Sequence, residues 1–480
     1  MAKELSDYTR LSSLYLFIAS TVIVYSLVDI PRRSMGGAWS VLLLIDLTIL
    51  LTYASYLKIF YKSRHFFDGL SFMPVEMKLF LIGLVFVLFS SLIYPVHESA
   101  LLNAMAFRTY ILPIPMLLIG YHFFSSWSDL SVVRGVERFT LLLGVSIATI
   151  AFIQLGLKQR GIDFLPPLEH EYRSFYSSQI DLISSVFSSS KKYGRFMFFV
   201  MALYFLSRSL QGKSFGLAGI YLLASILISG SREALVIAIL FLVLAIGIGG
   251  EQLKQKSHRT LKLNRALKLL ISVTFLALTL TTLAPFSDRL QYFLAADDSL
   301  NFIRRIVQFL PLFAINTDPR VLLSGIGAAR YGQESQLVPE LRANVEGMTD
   351  SLFGSDLVIG SEALAFSDSG LTKIIIELGI GGLLVWMLLL FFMFYRVLPA
   401  ILGNHRSVFQ YSLAYMLFAW LVFFLKAHPV LSDFLMSSLF YLLLGGFVFA
   451  YKTNNSKRRN QYYALTGTNR SSQKSMTGDQ

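Results

Sequence analysis

Five charged residues stand beside long apolar runs, where a charge needs a reason. Arg232 interrupts "LISGSREALVIAILFLVL", with apolar residues on both sides. Arg304 and Arg305 open the amphipathic stretch "NFIRRIVQFLPLF". Arg108 precedes an apolar run in "LNAMAFRTYILPIPMLL", and Asp368 precedes another in "FSDSGLTKIIIELGIGGLLVW". Guanidiniums grip diphosphate oxygens in a two-pronged way and keep their charge at any working pH. A carboxylate at the same level can take a proton from a sugar hydroxyl. The chemistry these types suggest is therefore transfer of a sugar away from a diphosphate.

Each residue also has a plainer explanation. Asp is a favoured helix N-cap, and Asp368 or its neighbour Ser369 can fill that role. Arg232 can reach the membrane interface with Glu233 as a partial counter-charge and Ser231 as a cap. Adjacent helical residues point about 100° apart, so Arg304 and Arg305 cannot share one role; one can face a pocket and the other solvent. Arg108 with Tyr110 fits an interfacial anchor. No metal and no cofactor are expected: His97, His170 and His428 are singletons and "ADD" at 296–298 lacks ligand spacing, so arginines would supply the charge neutralisation.

The elements that must position these side chains are membrane helices. Hydrophobic residues make up 55% of the 480-residue chain and charged ones 15%, with mean hydropathy +0.60, which excludes an ordinary soluble domain. With no cysteine, disulfides, thiolate metal sites and cysteine nucleophiles are excluded. At roughly 20 apolar residues per crossing, about twelve spans are expected, near 11–30, 37–56, 76–95, 105–125, 136–156, 194–210, 214–230, 233–250, 266–285, 371–395, 408–426 and 431–451. The first reads as an uncleaved signal anchor, since "IPRRSMGG" follows it rather than a small-residue cleavage site. No internal repeat is evident.

Lys58, Lys62 and Arg64, then Lys254 to Lys268, then Lys457, Arg458 and Arg459 all fall on one side under this count. That side is expected to be cytoplasmic, with both termini inside. The layout is thus an all-α polytopic membrane protein: spans one to nine within 1–285, one large extracytoplasmic helical loop at 286–369, spans ten to twelve within 370–451, and a disordered basic cytoplasmic tail at 452–480. Its expected partners are the lipid bilayer and a lipid-linked substrate, and no nucleic acid. One large one-sided loop suits an enzyme acting on such a substrate better than a transporter, where paired repeats are common.

Three segments in order resemble the bacterial O-antigen polymerases and O-antigen ligases, which share one membrane fold: "SGSREALVIAIL", "RIVQFLPLFAINTDPRVLLSGIGAARYG" and "DSGLTKIIIELGIGGLL". A looser likeness covers "RSFYSSQIDLISSVFSSSKKYGRFMFF", so the motifs span roughly 170–390. The resemblance implies a metal-independent, inverting glycosyltransferase of the bacterial plasma (inner) membrane, facing the periplasm or exterior. Its substrate would be undecaprenyl-diphosphate-linked oligosaccharide, with a flippase and a chain-length regulator as further partners. Arg232 and Arg305 match the family's diphosphate-holding arginines, with Arg304 and Arg108 as further candidates. Counting back from Glu377, Asp368 falls where the ligases place a histidine thought to be the base. That difference favours the polymerase over the ligase; a lipid-linked oligosaccharide flippase is the remaining alternative.

Overall fold

The structure, a computed structural model, describes residues 50–51, 53–54, 71, 73–93, 103, 106–162, 164, 183, 185–187, 190–231, 233–243, 319–325, 370–402, 408–426 and 434–466. Every element among them is helical. Four described helices are long and apolar enough to cross a membrane: Leu130–Lys158, Lys373–Leu402, Val408–Leu425 and Met436–Thr453. Spans expected near 11–30 and 266–285, most of 37–56 and nearly all of the 286–369 loop lie outside the described residues.

We label the described helices α1 (Val75–Ile93), α2 (Met116–Ser125), α3 (Leu130–Lys158), α4 (Ser190–Leu210), α5 (Gly216–Ile228), α6 (Glu233–Val243), α7 (Pro319–Ser324), α8 (Gly370–Phe392), α9 (Val408–Lys426) and α10 (Phe434–Thr466). Local chemistry explains most of the boundaries. Asp129 caps α3 by accepting the Ser131 N–H at 2.8 Å. The α4–α5 turn closes with Lys213 N–H on the Arg208 carbonyl at 2.9 Å, Gly212 taking φ +71°. After Phe392, α8 passes through a π-helical turn (Met393–Val397) and continues to Leu402.

Two expected spans are broken helices. In the region expected as one span at 105–125, a π-helical turn (Phe107–Ile111) leads into a turn holding Pro113 and Pro115, and only then does α2 begin. Two residues without N–H groups cannot continue a regular ladder. In α8 the break is at Gly379, whose φ of 62° and ψ of −156° lie outside the helical region. At the other end of the chain, α10 runs on to Thr466, so 452–466 is helical where a disordered tail is expected. That stretch holds no Pro or Gly, and extending a helix already nucleated in the bundle costs little.

Packing is dominated by close crossings at small residues, as expected where lipid supplies no hydrophobic drive between helices. Gly120 of α2 faces the Leu442 carbonyl of α10, and Gly445 faces the Leu117 carbonyl, with no space at either for a Cβ. α8 lies antiparallel to α1: Gly381 meets Val87, Val385 meets Gly83, and Arg396 pairs with Glu76 at 3.0 Å. Aromatic rings fill the centre. Trp420 lies against Phe440 at 4.1 Å and Trp386 against Phe424 at 4.6 Å, while the Trp420 indole N–H donates to the Met436 carbonyl at 2.9 Å.

Candidate functional site

The break in α8 gathers the first group of polar residues. Tyr110, in the Phe107–Ile111 turn, donates its hydroxyl hydrogen to Glu377 Oε2 at 2.5 Å. Lys373, one helical turn before Glu377, brings Nζ to 3.3 Å from the other carboxylate oxygen, Oε1. Lys373 and Glu377 are essentially inaccessible, and Tyr110 is buried. This ion pair lies within an apolar helix, where a lone charge is costly and a paired one is less so. Tyr110 is therefore an internal ligand of Glu377 rather than an interfacial anchor.

A third segment completes the junction. α7 ends at Ser324, and Gly325 follows with φ +74°, its backbone directly against the Glu377 carbonyl. Gly379 in turn lies against Gly325 N and the Leu323 carbonyl. Thus Leu323–Gly325 and Glu377–Gly379, far apart in the chain, meet backbone to backbone.

A second junction forms around the "SGSRE" stretch. Here α5 ends at a turn in which Gly230 has φ +70° and the Ser231 N–H is bound by Ser229 Oγ at 3.1 Å. Gly194 of α4 packs against Ser229 and Ser231 with no space for a Cβ. Next to it, Arg195 Nε donates to Glu233 Oε1 at 2.8 Å, and Nη2 contacts the same oxygen. The Arg195 guanidinium also lies 5.5 Å from the Phe423 ring centroid, within cation–π range. Glu233, expected as a counter-charge for Arg232, engages Arg195. Ser231 is not a side-chain cap: its Oγ is buried and has no hydrogen-bond partner among the described residues, while its carbonyl accepts the Leu235 N–H at 3.0 Å.

Both junctions lie at the same end of the bundle. Tyr110 and Thr109 line a narrow crevice with Trp386, Trp420, Ser437 and Tyr441. Trp420 stacks on Phe424, beside the Phe423 that carries Arg195. The opposite end holds a separate cluster, in which Glu137 accepts from Arg208 (2.8 Å), Gln211 (2.8 Å) and Lys213 (2.9 Å).

Of the residues expected to act, Arg108 is described. It is half-buried and sits on the Phe107–Ile111 turn, two residues from Tyr110. Arg232, Arg304, Arg305 and Asp368 lie outside the described residues. In the chain, Arg232 is flanked by Ser231 and Glu233 of the second junction, and Asp368 comes two residues before α8. Sequence reasoning passed over Lys373 and Arg195, took Tyr110 as an interfacial anchor, and used Glu377 only to set a register. One signal was available, because Lys373 and Glu377 are spaced i,i+4 inside "KIIIELGIGG", the spacing of a helical ion pair. Among the described residues no group of three or more His, Asp or Glu side chains is arranged to hold a metal. No family model and no curated protein matches this chain.

Proposed function

We propose that this chain polymerises undecaprenyl-diphosphate-linked oligosaccharide repeat units at the outer face of the bacterial plasma membrane. The observation that supports this reading most is the meeting of Gly325 with Glu377 and Gly379. It brings together two of the three segments on which the likeness to O-antigen polymerases rests, next to the turn that carries Arg108.

In the proposed reaction a hydroxyl of the acceptor repeat unit attacks the anomeric carbon of the donor glycan. The new C–O bond forms as the bond to the diphosphate breaks, and the undecaprenyl diphosphate leaves with the bonding pair, so the configuration inverts. Arg232 and Arg305, with Arg108 as a further ligand, hold the diphosphate and stabilise the charge that develops on it. Asp368 takes the proton from the attacking hydroxyl.

Purified protein in proteoliposomes, given one synthetic lipid-linked repeat unit, tests this directly. A ladder of products, each longer by one repeat, is expected. Transfer of a single finished chain to an unrelated acceptor without elongation would make the protein a ligase. Movement of the substrate across the bilayer without a new glycosidic bond would make it a flippase.

A further inference from the structure

We infer that Glu377 is a positioning residue: through it the Arg108 turn, the end of α7 and the start of α8 are fastened into one unit. Three separate contacts converge on it. Its side chain binds Tyr110 of the turn at 2.5 Å and Lys373 of its own helix at 3.3 Å. Its main-chain carbonyl is covered by Gly325, the residue that follows α7. Two residues later Gly379 breaks the helix.

The placement argues for a mechanical role. A carboxylate and an ammonium inside an apolar bundle are costly compared with packed hydrocarbon, and α8 would span just as well with leucines there. A helix break among apolar segments also needs its loosened backbone held by neighbours. Here the break is held by the α7 end, and the Phe107–Ile111 turn is tied to the same residue. Arg108 shares that turn with Tyr110, and Asp368 lies five positions before Lys373 in the sequence. A shift of Glu377 therefore shifts the proposed diphosphate ligand Arg108 relative to α8, the helix that the proposed base precedes in sequence. The catalytic part of this inference rests on the polymerase reading; the fastening itself does not.

The chain has no cysteine, so spin labels can be placed without background. Phe107 on the turn and Leu322 on α7 are 48% and 42% exposed, and Phe107→Cys with Leu322→Cys would report the distance between the two segments by pulsed electron paramagnetic resonance. A single narrow distribution is expected for the full-length protein in nanodiscs. Tyr110→Phe, the smallest change, should broaden or shift it, and Glu377→Ala should do so more. Lys373→Met combined with Glu377→Gln removes both charges but leaves an acceptor for Tyr110, and should keep the narrow distribution.

In the repeat-unit assay, Tyr110→Phe should lower kcat by about tenfold to a hundredfold, the scale of an ångström-level misplacement. KM should change by less than about threefold, and the neutral double variant should lose less rate than Glu377→Ala. A distribution unmoved in both Tyr110→Phe and Glu377→Ala overturns the inference. So does a broadened distribution with unchanged kcat, which would make the contact structural only. A neutral double variant as broad as Glu377→Ala would show that the Tyr110 hydrogen bond is not the tie. If the wild-type protein builds no glycan, the polymerase reading fails, and the distance measurement alone decides the fastening.

Discussion

Gly325 and Gly379 each have a positive φ at one close crossing: a Cβ on Gly379 would meet Gly325 N and the Leu323 carbonyl, and a Cβ on Gly325 would meet the Glu377 carbonyl and Leu378 N. The two requirements are independent. Left-handed backbone disfavours any side chain, and the close approach leaves no volume for one. Alanine at either position should destabilise the protein by about 1–3 kcal/mol from backbone strain alone, and by more once the segments are forced apart. Gly381, whose Cβ would meet only Val87 and the Leu323 carbonyl at ordinary contact distance, is the control and should tolerate alanine. Thermal unfolding in detergent measures all three.

Breaking the Arg195–Glu233 pair takes away a close counter-charge in a nearly dry site, since the two side chains are 5% and 8% exposed. Arg195→Ala or Glu233→Ala should each cost about 3–5 kcal/mol. Replacing both with neutral residues of similar size should cost much less than the sum, because neither charge then stays behind without the other. A double-mutant cycle on melting temperature separates a coupled pair from two independent residues. Additive losses would contradict the pairing.

The α2–α10 crossing should be intolerant of bulk. Gly120→Leu or Gly445→Leu places a side chain where the structure has a facing carbonyl, which separates the helices and opens the edge-to-face contact of Tyr121 with Phe449. Overpacking of this kind costs about 1–3 kcal/mol or more. The expected result is a lower yield of monodisperse protein and faster proteolysis of α10.

Activity tests separate the charged residues by role. Asp368→Asn, correctly inserted, should slow glycan elongation by about 10²- to 10⁴-fold if its carboxylate is the base. Arg232→Lys and Arg305→Lys should also be impaired, because a point charge cannot reproduce the two-pronged grip. Arg304→Lys should be nearly silent if its neighbour holds the substrate. Equal losses at 304 and 305 would show that the register is wrong.

The membrane character and most described helices are legible in the chain, because a crossing segment announces itself by length and hydropathy alone. The breaks were less so. Pro113 and Pro115 marked one in plain view, yet Gly379 did not, since Gly is common in membrane helices and only a partner backbone forces it out of the helical region. The Tyr110–Glu377 bond links residues from two helices distant in the chain, and no local pattern encodes such a contact. Arg195 was similarly hidden, for its counter-charge Glu233 looked better matched to the adjacent Arg232.

The glycine crossing of α2 with α10, and the pairing of α1 with α8, have a consequence for how the protein is made. The helices that leave the ribosome early find their partners in helices that leave it last. Until the C-terminal segments arrive, Gly120 and Gly83 present bare backbone to lipid, and Tyr110 has no carboxylate to bind. Closure of the bundle is therefore a late event in biogenesis. A chain cut short before residue 434 would keep its insertion signals yet lose the strand of contacts that locks its first half, and membrane quality control would meet it as an open, degradable intermediate.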